Sequence, residues 1–135
     1  MIKVVIDTNV YISGTFWTGK PKRVINMAKR GEFDVITSEE LLEELKDVLT
    51  REDKNFKISE KEADKIIENI RSYAKLVKST QKVTVCRDTK DNMVIECAIE
   101  GGADYILSGD PDLKVLGEYQ EIQIVSPGEF LEINI

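Results

Sequence analysis

Histidine is absent from this 135-residue chain, and its two cysteines, Cys86 and Cys97, fall outside any Cys-x-x-Cys spacing. A structural zinc site would need ligands that such a chain lacks. Each thiol stands in an apolar setting, "VTVC" and "VIECAI", which predicts small buried hydrophobes. No apolar run approaches the roughly 18 residues of a membrane span, and no charged segment precedes a long apolar core at the start. A cytoplasmic, reducing setting without a membrane partner is therefore expected. Cationic excess is missing too: 19 Lys and Arg stand against 25 Asp and Glu, a net charge of −6. That balance excludes a broad basic face neutralising many phosphates at once. The densest local run is "GKPKRVINMAKR". Its Lys20, Lys22 and Arg23 are candidate RNA contacts, although such a run equally suits a solvated helix face.

What is present is a globular balance of 41% hydrophobic and 33% charged residues, at a length that suits a single domain over residues 1–135. Short apolar runs alternate with helical patterns, which points to a mainly parallel sheet wrapped by helices. Five strands are expected, at 3–7, 33–37, 82–86, 104–108 and 122–126, each β-branched and bounded by polar or turn residues. Pro21 and Gly31 bracket a helix. Thr37 with Glu40 and Ser59 with Glu62 give capping-box spacing before "ELLEELKDVL" and "EADKIIENIRSYAKLV". A further helix in "DTKDNMVIECAIEGG" ends at Gly101 and Gly102. The polar stretch 50–58 reads as an exposed connection, and Phe16 and Trp17 as part of a loop.

Carboxylates recur at the strand ends. In open α/β sheets the ligand crevice lies beyond the carboxyl ends of the strands, where strand order reverses. Asp7 ends the first expected strand, Asp110 follows the fourth, and Asp88 and Asp91 follow the third. Asp88 and Asp110 are also well placed as helix N-caps, with Asp91 favoured in a first turn. Asp7 has no such alternative in the pattern. A lone buried carboxylate is costly unless a partner or a cation compensates it. On the helix "ELLEELKDVL", Glu44 borders the stripe formed by Leu41, Leu42, Leu45, Val48 and Leu49, whereas Glu40, Glu43 and Asp47 fall on the far side.

The segments "VVIDTNVYIS", "TSEELLEELKDVL", "RDTKDNMVIECAIEGGADYILSGDPDL" and "IVSPGEFL" run in the order found in PIN domains. The chain resembles that family, and within it the single-domain VapC-like toxins. The resemblance implies a PIN-like three-layer α/β/α fold with a central five-stranded, mainly parallel sheet. It implies an acidic quartet of Asp7, Glu44, Asp91 and Asp110, with Asp7, Asp91 and Asp110 as metal ligands. Thr8, Asn9 and Ser108 fall at supporting polar positions, with Asp88 and Asp112 as auxiliary acids. It further implies RNA as substrate, an antitoxin protein as partner, and a homodimer.

A set of oxygen donors selects hard cations, Mg²⁺ or Mn²⁺. Such ions activate water and stabilise both oxygens of an in-line displacement at phosphorus, so metal-dependent endoribonuclease activity is the expectation. A PIN-fold adaptor that binds RNA or protein with little catalysis is the alternative. A phosphoaspartyl enzyme fits less well: its pattern asks for a second Asp two residues after the first, where Asn9 stands. A receiver domain asks for a Lys after the last strand, and "IVSPGEF" has none.

Overall fold

The computed structural model describes residues 1–51 and 58–133. Most of the connection expected at 50–58 lies outside the described residues. The elements run β1 (Lys3–Ile6), α1 (Thr8–Phe16), α2 (Lys20–Lys29), β2 (Asp34–Thr37), α3 (Glu39–Leu49), α4 (Glu60–Tyr73) and β3 (Ala74–Leu76). They continue with α5 (Thr89–Gly101), β4 (Tyr105–Leu107), α6 (Pro111–Lys114), β5 (Glu118–Tyr119), β6 (Ile122–Val125) and α7 (Pro127–Leu131).

The strands form one sheet in the order β3-β2-β1-β4-β6-β5, parallel except for the edge pair β5–β6. Six strands therefore replace the five expected. Alternate residues of each strand point to opposite faces, so two cores arise. Val4, Ile6, Val35 and Leu107 pack under α1, α2, α3, α4 and α7, where Phe33 and Tyr105 meet Phe130 edge-on at centroid distances of 5.1 and 5.7 Å. Val5, Ile36, Ile106, Ile122 and Ile124 pack on the other face with α5 and Leu113 of α6. This is the three-layer α/β/α arrangement.

The segment 82–86 is not a strand. Its apolar alternation answers to α5 instead. Asn92, Glu96 and Glu100, four residues apart on one stripe of that helix, bind residues 80–86. Glu100 accepts from Thr80 N at 3.2 Å, Glu96 from Val83 N at 3.0 Å, and Asn92 from Cys86 N at 2.9 Å. The third parallel strand is β3, at residues assigned above to the end of a helix. Ala74 and Leu76 take the register opposite Val35 and Thr37. Ala74 and Val77 satisfy helical spacing while Ala74 and Leu76 satisfy strand alternation, which is why periodicity extends the helix too far.

Helix α1 is also new. Val10, Tyr11, Ile12 and Gly14 are all buried, so it lacks the one-sided stripe by which a helix announces itself. Phe16 closes it, and Trp17, its C-cap, is exposed. The cap of α3 is Ser38 rather than Thr37: Ser38 Oγ accepts from Leu41 N at 3.3 Å, while the Thr37 hydroxyl has no hydrogen-bond partner among the described residues. Ser59 caps α4 as expected. The β5–β6 hairpin turns through Gln120 and Glu121 at φ 49° and 69°, a left-handed pair that neither residue type signals. Cys97 is buried, but Cys86 is only half-buried, and both are free. No helix among the described residues is long and apolar enough to cross a membrane.

Candidate metal centre

β1 and β4 lie side by side, with Ile6 opposite Leu107, at the point where the strand order reverses. Their carboxyl ends deliver Asp7 and Ser108 to the same place. Asp7 is the N-cap of α1, a role the pattern had not suggested, and its Oδ1 accepts from Thr8 N at 2.8 Å. Ser108 Oγ donates to Asp7 Oδ2 at 2.8 Å and accepts from Asp110 N at 3.0 Å. One buried hydroxyl thus ties the first acid to the backbone of the second. Asp7 is 6% exposed, and burial pushes its carboxyl from 3.8 up to about 6. The hydrogen bonds from Ser108 and Thr8 oppose that rise, while Glu44 and Asp110 add repulsion.

Asp110 caps α6 by accepting from Asp112 N at 2.8 Å. Asp88 caps α5 from an exposed position, accepting from Lys90 N at 2.9 Å. Both capping alternatives are therefore real, and for Asp110 the cap coexists with a place in the cluster. Asp91, in the first turn of α5, is 5% exposed, and its Oδ2 is buried without a hydrogen-bond donor among the described residues. Burial raises its pKa, as do Asp110, Asp7 and Asp88. Because 82–86 is no strand, Asp91 reaches the crevice on a helix that follows an irregular segment. Asp91, Asp110 and Asp112 each offer a carboxylate oxygen, all within 4.8 Å of one another. Asp112 also accepts from exposed Arg87 at 2.8 Å.

Glu44 is half-buried, and its Oε2 accepts from the Thr8 hydroxyl at 3.1 Å, which holds α3 against the start of α1. The other acids of α3 are exposed, and Glu39 and Asp47 pair with Arg71 and Arg51. Asn9 is exposed and makes no side-chain hydrogen bond among the described residues. The basic run is dispersed. Lys20 lies against Gly128 in the first turn of α7, Arg23 is exposed, and Lys22 lines a cavity formed with α1 and α4.

Three residues near the acids escaped the pattern. Arg87 shields Asp112, and Asn92 and Glu96 fix the strand-like segment leading into α5. A signal did exist for the latter pair, since a carboxylate, Glu96, interrupts the apolar run "MVIECAI" and an amide, Asn92, directly precedes it one helical turn earlier.

The donors suit a hard divalent cation. They are oxygens only, three converge, and buried Asp91 stands against the like charge of Asp110, a costly arrangement that a cation relieves. Against known proteins, the PIN domain family model matches residues 3–112. The chain belongs to the PIN domain family. An uncharacterized protein of Methanocaldococcus jannaschii is 30% identical over 141 aligned positions, covering 97% of this PIN domain chain and 90% of that protein. Among solved structures, VapBC2 from Rickettsia felis, bound to a DNA fragment from its promoter, aligns with a TM-score of 0.62. That match covers 91% of this chain and 97% of the other at 10% identity, a likeness of PIN fold.

Proposed function

We propose that this PIN domain is a Mg²⁺- or Mn²⁺-dependent endoribonuclease that hydrolyses RNA phosphodiester bonds, acting as the toxin of a type II toxin-antitoxin pair. PIN domains are generally nucleases. The observation that carries the reading is the convergence of Asp91, Asp110 and Asp112 within 4.8 Å beside buried Asp7, at the switch point of the sheet.

In this reading Asp7, Asp91 and Asp110 hold the metal, with Asp112 at its rim and Glu44 as a further ligand or the group that positions water. When bound, the ion supplies charge neutralisation at the phosphate and a lowered pKa for water. The chain's own residues prepare that event. Ser108 and Thr8 fix the rotamers of Asp7 and Glu44 by hydrogen bonds, as supporting shells do around metal sites. Burial and mutual repulsion keep protons on Asp7 and Asp91 to a higher pH than an ordinary carboxylate, so protons and a divalent ion would compete for the same oxygens. Asp88 anchors the start of α5 and so fixes Asp91. Asn9, exposed at the start of α1, faces outward for substrate.

An antitoxin protein and a homodimeric state belong to the same proposal, supported by the likeness to VapC-type proteins. The test is a mixed RNA pool incubated with the purified protein and Mn²⁺ or Mg²⁺. Cleavage that disappears with EDTA and in Asp110→Asn supports the reading. RNA binding without cleavage would replace it with the adaptor alternative.

A further inference from the structure

A second polar cavity, of about 290 Å³, lies between α1, α2 and α4, away from the acids. Its rim carries Lys22 and Lys29, seven residues apart on one face of α2, and Lys65 of α4. None of the three has an ion-pair or hydrogen-bond partner among the described residues. For Lys65 the acids of its own helix explain this. Asp64 pairs with Lys46 at 2.9 Å and Glu68 with Arg71 at 3.3 Å, so both are engaged elsewhere and leave Lys65 uncompensated. Tyr11 lines the same cavity, is 4% exposed, and has a buried hydroxyl without a hydrogen-bond partner among the described residues. A buried, unpaired hydroxyl costs about 1–3 kcal/mol unless something accepts or donates to it. Asn69 and Thr15 add polar groups, and Ile25, Ile66 and Ile70 supply the walls.

We infer that this cavity is a phosphate-binding site, in which Lys22, Lys29 and Lys65 neutralise a phosphate group and the Tyr11 hydroxyl donates to it. Three ammonium groups around one pocket fit a phosphate group, whose charge is spread over several strongly accepting oxygens, better than a single carboxylate. The walls are preformed: at Gly14, where α1 crosses α2, a Cβ would lie 2.6 Å from Ile25 Cγ1, so the two helices meet without slack. Two sources share this chemistry. One is the backbone of an RNA strand. Helix α1 starts at the acidic crevice and passes the cavity, with Tyr11 about 6 Å and Thr15 about 12 Å along its axis from Asp7. The other is free phosphate or a mononucleotide.

The test titrates inorganic phosphate, at constant ionic strength and in EDTA, into protein carrying ¹³C-labelled isoleucine methyls. Saturable shifts at Ile25, Ile66 and Ile70 are expected. Lys29→Met and Lys65→Met, both at exposed positions that leave the core intact, should each weaken binding by about tenfold, the loss of one charge-assisted contact. Tyr11→Phe should weaken it by about threefold while preserving the fold. Shifts that never saturate, or saturation unchanged in the Lys29→Met/Lys65→Met double variant, would overturn the inference. Acetate binding as tightly as phosphate would also overturn it and mark a carboxylate site. A second arm adds an oligoribonucleotide to Asp110→Asn. Movement of the same methyls identifies RNA backbone as the source, and movement by phosphate or a mononucleotide alone identifies a free phosphate. Neither arm involves turnover, so failure of the ribonuclease reading leaves this result standing, and the reverse holds too.

Discussion

Replacing Asp7 with Asn should make the metal-free protein more stable while removing its response to divalent cations. Asp7 is buried with a carboxyl raised from 3.8 to about 6. Below about pH 4 the side chain is protonated whether the chain is folded or not, and no penalty exists. Between 4 and 6 the unfolded chain ionises while the folded one keeps its proton, so folding loses stability as pH rises. Above 6 the penalty is complete, about 3 kcal/mol at 1.36 kcal/mol per tenfold change in proton affinity. Asparagine carries no charge and still fits the site: its oxygen can accept from Thr8 N, and its amide can donate to Ser108 Oγ. Relief of the repulsion between positions 7 and 91 adds to the gain. Urea unfolding in EDTA should show the variant about 2–3 kcal/mol more stable than wild type at pH 7.5, with the gap closing toward pH 4. Mg²⁺ should stabilise wild type by about 2.7 kcal/mol at a hundred times its dissociation constant and leave the variant unmoved. A pH-independent gap, or a wild type more stable than the variant at pH 7.5, would refute the reasoning.

Other outcomes follow from the same geometry. Arg87→Ala removes the cation that occupies Asp112 and should tighten Mn²⁺ binding about threefold by calorimetry, with under about 1 kcal/mol lost in stability because the pair is exposed. Gly101→Ala places a Cβ 2.4 Å from Ile36 Cγ2 where α5 meets β2, and should cost about 1–3 kcal/mol in urea unfolding. Ser126→Ala breaks the reciprocal cap of α7 with Glu129 and should cost about 1 kcal/mol by the same measurement.

The acids were legible because a charge at the end of an apolar strand violates its surroundings, and parallel strands bring their carboxyl ends together whatever lies between them. Asp7 and Asp110 followed from that rule, and Glu44 from its position beside a leucine stripe. The irregular connections were not legible. "KVTVC" alternates like a strand, yet its residues pack on α5 and are held by Asn92 and Glu96, contacts that local periodicity does not encode. Helix α1 is buried on too many sides to show a stripe. The β5–β6 turn uses Gln and Glu in a conformation usually supplied by Gly or Asn. The cavity at Lys22, Lys29 and Lys65 joins distant segments, and only the packing of α4 against the first two helices creates it.

Anomalous scattering from crystals of the protein grown with Mn²⁺ tests the central claim most directly. The account predicts a manganese peak within about 2.5 Å of carboxylate oxygens of Asp7, Asp91 and Asp110, with Asp112 on its border. Saturating Mn²⁺ that leaves those carboxylates without a peak, or that binds only elsewhere on the surface, would contradict it.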